Sequence, residues 1–184
     1  MKVLKFSYID RNDESNPFYK QWSRNYEYDL VFKRLETLDL TGPTIHNTAC
    51  WWWECHNLFS RWLEQFGNVL NSDNNSRPLE NKPNNFIIQD ITLPNILKND
   101  ITICVSTLEH LDPRDWIPTL QNLLNATERY LILTFDTPPL NIALIEEFLW
   151  VKCEDVKERL TPQNSKYKHP TWDGINVVYL IIEK

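Results

Sequence analysis

Two adjacent residues, Glu109 and His110, combine a carboxylate with an imidazole directly after an apolar segment. Histidine titrates near neutral pH and needs little tuning to move a proton, and a neighbouring carboxylate can orient or deprotonate a reacting group. The pattern therefore predicts Glu109 and His110 as candidate catalytic residues. The alternative is that the pair forms only a polar strand end or a helix cap.

A run of three tryptophans, Trp51 to Trp53, is the second feature, in a chain that has only three glycines. Indole rings can stack on an adenine, a base or a sugar, which would place the run in a ligand site. The same rings can pack in the core or fill a pocket as a hydrophobic cap, as many tryptophans do. The sequence leaves both interpretations open.

Histidines and cysteines lie close together in the same region, at His46, Cys50, Cys55 and His56. Both residue types bind zinc, but this spacing matches no common finger or ribbon. It would also spread the ligands over a strand, a loop and a helix start. We therefore predict no metal site.

The elements that position these residues alternate between helices and strands, because the apolar period changes repeatedly along the chain. Helices are predicted over 26–40, along the stripe Leu58, Phe59, Trp62, Leu63 and Phe66, after Asp112, and from Asn141. Strands are predicted over 44–49, 68–73, 86–90, 101–106, 129–135 and 175–182. Parallel neighbours need crossover connections, so this order predicts an α/β fold with helices on both faces of the sheet.

The segment Ser106-Thr107-Leu108-Glu109-His110-Leu111 follows the fourth strand of this pattern. It is similar to the Leu-Glu-His stretch common near the methyl-transfer pocket of class I S-adenosylmethionine-dependent methyltransferases, which the strand and helix order also resembles. The resemblance implies a Rossmann-like three-layer sandwich with a mostly parallel seven-stranded sheet, in the order 3-2-1-4-5-7-6, and an antiparallel C-terminal hairpin. It places this domain over residues 26–184 and implies S-adenosylmethionine as the cofactor. Residues 1–25 mix charged residues, asparagine and aromatics without a sustained period, which predicts a short strand or N-terminal arm followed by a surface segment.

The resemblance extends to individual residues at the strand ends. Asp73 ends the second strand, where the family places an acidic residue against the cofactor ribose. Asp90 ends the third strand, near the expected adenine, and Ser106 and Thr107 follow the fourth at the cofactor site. Both aspartates have a plain alternative, since aspartate readily closes a turn through its own side chain.

The first loop departs from the family pattern D/E-x-G-x-G-x-G, because this chain has Asn47-Thr48-Ala49-Cys50-Trp51-Trp52-Trp53 there. Glycine permits a tight turn and a close approach of the backbone to a ligand. The resemblance implies Asn47, Ala49, Cys50 and Trp51 as an unusual floor of the cofactor site, shaped by backbone amides. The missing glycines also favour a competing hypothesis, a non-catalytic methyltransferase-like binding domain that has lost the cofactor.

Composition limits the partners. The formal net charge of -6 argues against nucleic acid, whose phosphates need clustered lysine and arginine. No segment predicts a signal peptide or a membrane span, so we expect a cytoplasmic protein with reduced cysteines. The leading hypothesis is methyl transfer to a small-molecule, glycan or protein acceptor. A third alternative is another ligand-binding α/β protein that uses the tryptophans as a stacking platform.

Overall fold

The computed structural model describes residues 1–8, 23–50, 54–74, 83–137, 140–154 and 176–184. Within these ranges the strands are β1 (Lys2–Tyr8), β2 (Thr44–Thr48), β3 (Asn68–Asp73), β4 (Phe86–Ile88), β5 (Asn99–Val105), β6 (Thr127–Thr137) and β7 (Asn176–Glu183). The α-helices are α1 (Ser23–Glu36), α2 (Glu54–Leu63), α3 (Trp116–Ala126) and α4 (Ile142–Leu149). Two short 3₁₀ turns, Leu108–His110 and Pro113–Asp115, lie between β5 and α3.

The strands form one seven-stranded sheet in the order β4-β3-β2-β5-β6-β7-β1. β2 to β6 are mutually parallel, whereas β7 runs antiparallel to both β6 and β1. The predicted α/β class and the mostly parallel seven-stranded sheet with antiparallel pairing at the C-terminus are confirmed, and the antiparallel partners of β7 are β6 and β1 where a C-terminal hairpin was predicted. The first six positions follow the order 3-2-1-4-5-7 of the resemblance.

The last position of the sheet is filled from the N-terminus. β1 lies beside β7, where the order of the resemblance has strand 6, and its register runs from Lys2 opposite Glu183 to Tyr8 opposite Val178. After α4 the chain meets the outer side of β1 at Glu154, whose backbone N–H donates to the carbonyl oxygen of Phe6 at 2.7 Å. Part of the stretch expected as an arm is thus a strand of the sheet.

Helices cover both faces of the sheet, which gives the predicted three layers. α1 and α2 pack on one face against alternate strand residues such as Ile101, Ile103 and Val105 of β5. α3 and α4 pack on the other face, together with Cys104 of the same strand. A strand buried on both faces is apolar almost continuously, and this is the β-branched pattern that the sequence shows for β5.

Helix α2 departs from its predicted apolar stripe. Phe59 and Leu63 are buried, but Leu58 and Trp62 are each 50 % exposed. A helix at the edge of a layer buries a narrow face, so neighbouring positions of the stripe remain partly in solvent. The ring of Phe32 in α1 lies 5.6 Å from that of Trp62 and covers part of the indole. No helix in the described ranges is long and apolar enough to cross a membrane.

Candidate functional site

The candidate site lies where the five parallel strands end. Ligands of open α/β sheets bind beyond the carboxyl ends of the strands, and these ends lie on one edge of the sheet. Here that edge carries Thr48 of β2, Asp73 of β3, Ile88 of β4, Val105 of β5 and Thr137 of β6. The residues that follow each strand can therefore act together although they are distant in sequence.

The turn after β2 has the backbone conformation that usually calls for glycine. Ala49 has a φ of 49°, in the left-handed region that residues with a Cβ rarely adopt. The backbone N–H of the next residue, Cys50, donates to the carbonyl oxygen of Ser72 at 2.9 Å and fixes the turn against β3. An alanine thus forms the turn at the first glycine position of the family pattern. Trp51, with the rest of the tryptophan triplet, lies outside the described residues.

Asp73 and Cys50 form the buried corner of the edge. Asp73 is only 8 % exposed, and Cys50 is buried as well. Burial, and secondarily the negative charge of Asp73, raise the pKa of the Cys50 thiol to about 12. Cys50 therefore stays a protonated thiol near neutral pH and is no thiolate nucleophile. The hydrogen bond from the Cys50 N–H to Ser72 brings the turn after β2 next to the end of β3.

Asn47 lies below this turn and links three elements. Its side-chain amide donates to Ser60 Oγ of α2 and to Asn71 Oδ1 of β3, each at 3.0 Å. Asn71 in turn donates to the carbonyl oxygen of Asn84 at 2.8 Å. Buried amides of this kind are stable because their polar atoms are paired. Asn47 therefore supports the floor of the site through α2 and β3, and a direct contact with a cofactor remains a prediction.

Asp90 closes a turn after β4. Its Oδ1 accepts hydrogen bonds from the backbone N–H of Thr92 at 2.9 Å and from Thr92 Oγ1 at 2.7 Å. This is the turn role that the sequence left open for Asp90. The backbone N–H of Gln89 donates to the carbonyl oxygen of Asp73 at 2.9 Å and keeps the two strand ends together. A ligand contact of Asp90 stays a prediction.

Ser106 marks the end of β5 with a second left-handed backbone, at a φ of 41°. Its N–H donates to the carbonyl oxygen of Thr134 at 2.9 Å, and its hydroxyl donates to Glu27 Oε1 at 2.7 Å. Thr107 Oγ1 donates back to the carbonyl oxygen of Val105 at 3.0 Å. Backbone strain that the surroundings hold in place is common at ligand sites. The segment that enters the Leu-Glu-His turn is therefore firmly positioned.

Glu109 and His110 occupy the same 3₁₀ turn but differ in their surroundings. Glu109 is 5 % exposed, whereas His110 is exposed. An exposed imidazole can exchange a proton with an acceptor and with solvent, and a buried carboxyl group can orient an acceptor or take its proton. The two candidate catalytic residues thus lie at the expected edge, and their roles stay predictions.

The structure gives His46 a role in the core. His46 is fully buried, its Nε2 lies 2.8 Å from Ser72 Oγ, and burial lowers its pKa to about 4. Within the described ranges no group of three or more His, Cys, Asp or Glu side chains could hold a metal ion. The side chains of Cys55 and His56 lie outside the described part of the chain.

Glu27 is the residue that sequence reasoning missed. It belongs to α1, is completely buried and reaches Ser106 at the carboxyl edge. Its position could have been noticed, because Glu27, Val31 and Leu35 recur every four residues on the buried face of one helix. A charged residue at a core position of an amphipathic helix is a reason to look for a partner or a ligand.

Known proteins with a similar architecture are found among solved structures. No family model and no curated protein matches the sequence. Among solved structures, magnesium protoporphyrin IX methyltransferase from Synechocystis PCC 6803 with bound S-adenosylmethionine is similar with a TM-score of 0.57 and 17 % identity, over 90 % of this chain and 84 % of that chain. The N-methyltransferase NodS from Bradyrhizobium japonicum WM9, in complex with S-adenosylhomocysteine, aligns with a TM-score of 0.59 and 12 % identity, over 95 % of this chain and 91 % of that chain.

A TehB-like S-adenosylmethionine-dependent methyltransferase from Corynebacterium glutamicum gives a TM-score of 0.55 at 16 % identity, over 86 % of this chain and 87 % of that chain. Identities this low are informative about architecture alone. The similarity extends over most of the length of all three structures, so it concerns the whole sheet with its helices. The chain has the fold of the class I S-adenosylmethionine-dependent methyltransferases.

Proposed function

We propose that this protein is an S-adenosylmethionine-dependent methyltransferase acting on a small-molecule, glycan or protein acceptor. The observation that carries the proposal is the corner formed by the left-handed turn at Ala49 and the buried carboxyl group of Asp73. A backbone turn beside a carboxyl group at the end of the next strand suits a ribonucleoside ligand, because a carboxylate can accept hydrogen bonds from both ribose hydroxyls.

The described residues fit the cofactor at two points. Ala49 adds only a methyl group to the turn, so the backbone there can still come close to a ligand. The backbone of Asp73 is held at the edge because the backbone N–H of Gln89 donates to its carbonyl oxygen, and burial restricts its side chain. A preorganised acceptor of this kind binds hydroxyl groups with little loss of side-chain entropy.

The cofactor would supply an electrophilic methyl group, whose bond to sulfur breaks as the acceptor's lone pair forms a bond to carbon. The protein's contribution is mainly to hold the reactants in line, which can lower the barrier substantially. In this proposal the exposed imidazole of His110 takes the proton that the acceptor releases. Glu109, the buried carboxyl group of the same turn, is the alternative residue for orienting or deprotonating the acceptor.

A non-catalytic methyltransferase-like binding domain is the second candidate. It is favoured by the sequence of the first loop, where the family's glycines are replaced by alanine and tryptophan. A domain that has lost the cofactor would keep the fold and the buried Asp73 but would not bind S-adenosylmethionine. Cofactor binding therefore separates the two proposals before any acceptor is known.

Calorimetric titration with S-adenosylmethionine and S-adenosylhomocysteine tests the proposal directly. We expect saturable binding by the wild-type protein and a loss of roughly 10- to 100-fold in affinity in Asp73→Asn, since the variant weakens hydrogen bonds to a charged acceptor. Asp39→Asn is the matched control, because Asp39 is exposed and lies before β2, at the opposite edge of the sheet.

Each outcome has a distinct meaning. Binding that is lost in Asp73→Asn and kept in Asp39→Asn supports the methyltransferase proposal and justifies a screen of acceptors. Unchanged binding in Asp73→Asn would contradict the role of Asp73. Absence of heat and of thermal stabilisation in the wild-type protein, at ligand concentrations of about 1 mM, would refute cofactor binding and leave the non-catalytic domain ahead.

A further inference from the structure

We propose that Glu27 binds the ammonium group of the amino acid part of S-adenosylmethionine, an inference that rests on the proposed function. Glu27 lies in α1, outside every segment that the sequence pattern connects with the cofactor. The proposal therefore assigns a new element to the site.

The first support is the burial of Glu27 at the carboxyl edge. Its side chain is completely buried, and Oε1 accepts a hydrogen bond from Ser106 Oγ at 2.7 Å. Ser106 is the first residue after β5, so the hydrogen bond places the carboxyl group of Glu27 beside the carboxyl end of that strand. Its neighbour Tyr28 stacks on Phe59 of α2 with ring centroids 4.0 Å apart, which fixes this end of α1.

The second support is the distance between Glu27 and Asp73 across the sheet. Asp73 ends β3 and Glu27 reaches the end of β5, with β2 between them. Neighbouring strands are about 4.8 Å apart, so the two carboxyl groups stand over strands separated by roughly 10 Å. An extended S-adenosylmethionine bridges a comparable distance, because several single bonds separate its ribose from its ammonium group. A ribose at Asp73 thus brings the amino acid part toward Glu27.

The third support is that Asn47 carries no charge, so another residue must supply a carboxylate for the positively charged cofactor. The family pattern has an acidic residue there, and this chain has Asn47, whose amide is engaged by Ser60 and Asn71. S-adenosylmethionine carries positive charges on its sulfur and its amino group. Within the described edge, Glu27 provides a buried carboxyl group on the α1 side of β5, and a cation bound beside it would stabilise its ionised form.

The test compares three ligands by calorimetry in the wild-type protein and in Glu27→Gln, which keeps an oxygen for Ser106. The ligands are S-adenosylmethionine, S-adenosylhomocysteine and 5′-methylthioadenosine, and the third lacks the amino acid part. We expect Glu27→Gln to weaken binding of the first two by about 10- to 100-fold, as for a lost hydrogen bond to a charged group. Its affinity for 5′-methylthioadenosine should change less than about twofold. Glu36→Gln, at the exposed end of the same helix, is the control.

Several results would overturn the proposal. Equal weakening of all three ligands would give Glu27 a structural role, and unchanged affinities would remove it from the site. Weakening of S-adenosylmethionine alone would point to the sulfonium and not to the ammonium group. If the wild-type protein binds none of the three, the proposed function itself fails before the variants are compared.

A second measurement covers the case in which Glu27→Gln does not fold. The wild-type protein is titrated with an S-adenosylhomocysteine analogue whose amino group is replaced by hydrogen. A loss of about 10-fold or more relative to S-adenosylhomocysteine supports a carboxylate at the ammonium group. Equal affinity for the two compounds overturns the proposal without any variant.

Discussion

Replacing Ala49 by glycine tests whether the turn after β2 is strained. Ala49 has a φ of 49°, where the Cβ of an L-residue approaches the following carbonyl oxygen. Glycine has no Cβ and adopts this conformation freely. Ala49→Gly therefore removes strain from the folded protein, in contrast to most alanine-to-glycine changes, which only add freedom to the unfolded chain.

Three terms set the expected magnitude. Relief of the left-handed conformation contributes about 1–2 kcal/mol in favour of the variant. Greater freedom of the unfolded chain opposes it by about 0.4–1 kcal/mol. The methyl group of Ala49 is partly buried against the core on the α3 and α4 side, and its loss opposes the variant by about 0.4 kcal/mol, half of a buried methylene. The net change lies between about 1 kcal/mol of stabilisation and about 0.4 kcal/mol of destabilisation.

Ala143→Gly is the matched control, because Ala143 is exposed in the first turn of α4. Glycine in a helix costs about 0.5–1 kcal/mol relative to alanine, so Ala49→Gly should be more stable than Ala143→Gly by about 1 kcal/mol. Guanidinium unfolding followed by tryptophan fluorescence and by circular dichroism measures both free energies of unfolding, and coincident transitions justify a two-state analysis. In thermal unfolding the difference corresponds to about 2–4 °C.

The reasoning would be refuted if Ala49→Gly were destabilised as much as Ala143→Gly or more. That result would mean that the turn after β2 does not hold a left-handed alanine. Ala49→Val is a second test of the same turn. A β-branched side chain is less favourable than alanine in the left-handed region, so this variant should lower the free energy of unfolding by more than about 1 kcal/mol. Titration with S-adenosylmethionine then shows whether the relaxed turn still binds the cofactor.

Two further predictions follow from the buried ionisable groups. Burial lowers the pKa of His46 from 6.5 to about 4, so the unfolded state binds the proton more tightly. The resulting stability is fully present above pH 6.5 and is lost progressively as the pH falls from 6.5 to about 4, by about 3 kcal/mol in total. His46→Gln should flatten the dependence of the unfolding free energy on pH in this interval, and an unchanged slope would contradict the assignment. Burial raises the pKa of Cys50 to about 12, so its thiol should react slowly with alkylating reagents. At pH 8 we expect its alkylation, measured by peptide mass spectrometry, to be at least roughly tenfold slower than that of the partly exposed Cys153. Equal rates would contradict the burial of Cys50.

The local patterns of the sequence were sufficient for the order of the elements from α1 to β7, whereas residues 1–25 show no sustained period that would delimit β1. The strand predicted over 68–73 coincides with β3, and the Asp112 start precedes a 3₁₀ turn whose Arg114 N–H donates to the Asp112 side chain at 3.0 Å. The helix from Asn141 begins with Asn141 accepting from the Ala143 N–H at 3.0 Å. Helix caps and apolar periodicity predict these elements well because both depend on residues within one or two turns of each other.

The sequence also indicated the edge of the sheet at which the candidate residues meet. Asp73, Ser106 and Glu109 follow or end parallel strands, and the parallel arrangement alone brings such positions together. The sequence could not assign the contacts of these side chains. Asp90 closes a turn, Asn47 joins β3 to α2, and Cys50 lies next to Asp73, and each of these contacts depends on the packing of separate elements.

Tertiary structure alone decided the placement of β1 and of Glu27. β1 pairs with β7 across nearly the whole chain, and strand pairing depends on backbone hydrogen bonds whose partner no local period specifies. Glu27 meets Ser106 across 79 residues because α1 packs beside α2 over the end of β5. Local side-chain periodicity thus determined which segments form helices and strands, whereas the site was assembled by non-local pairing and packing, which periodicity does not encode.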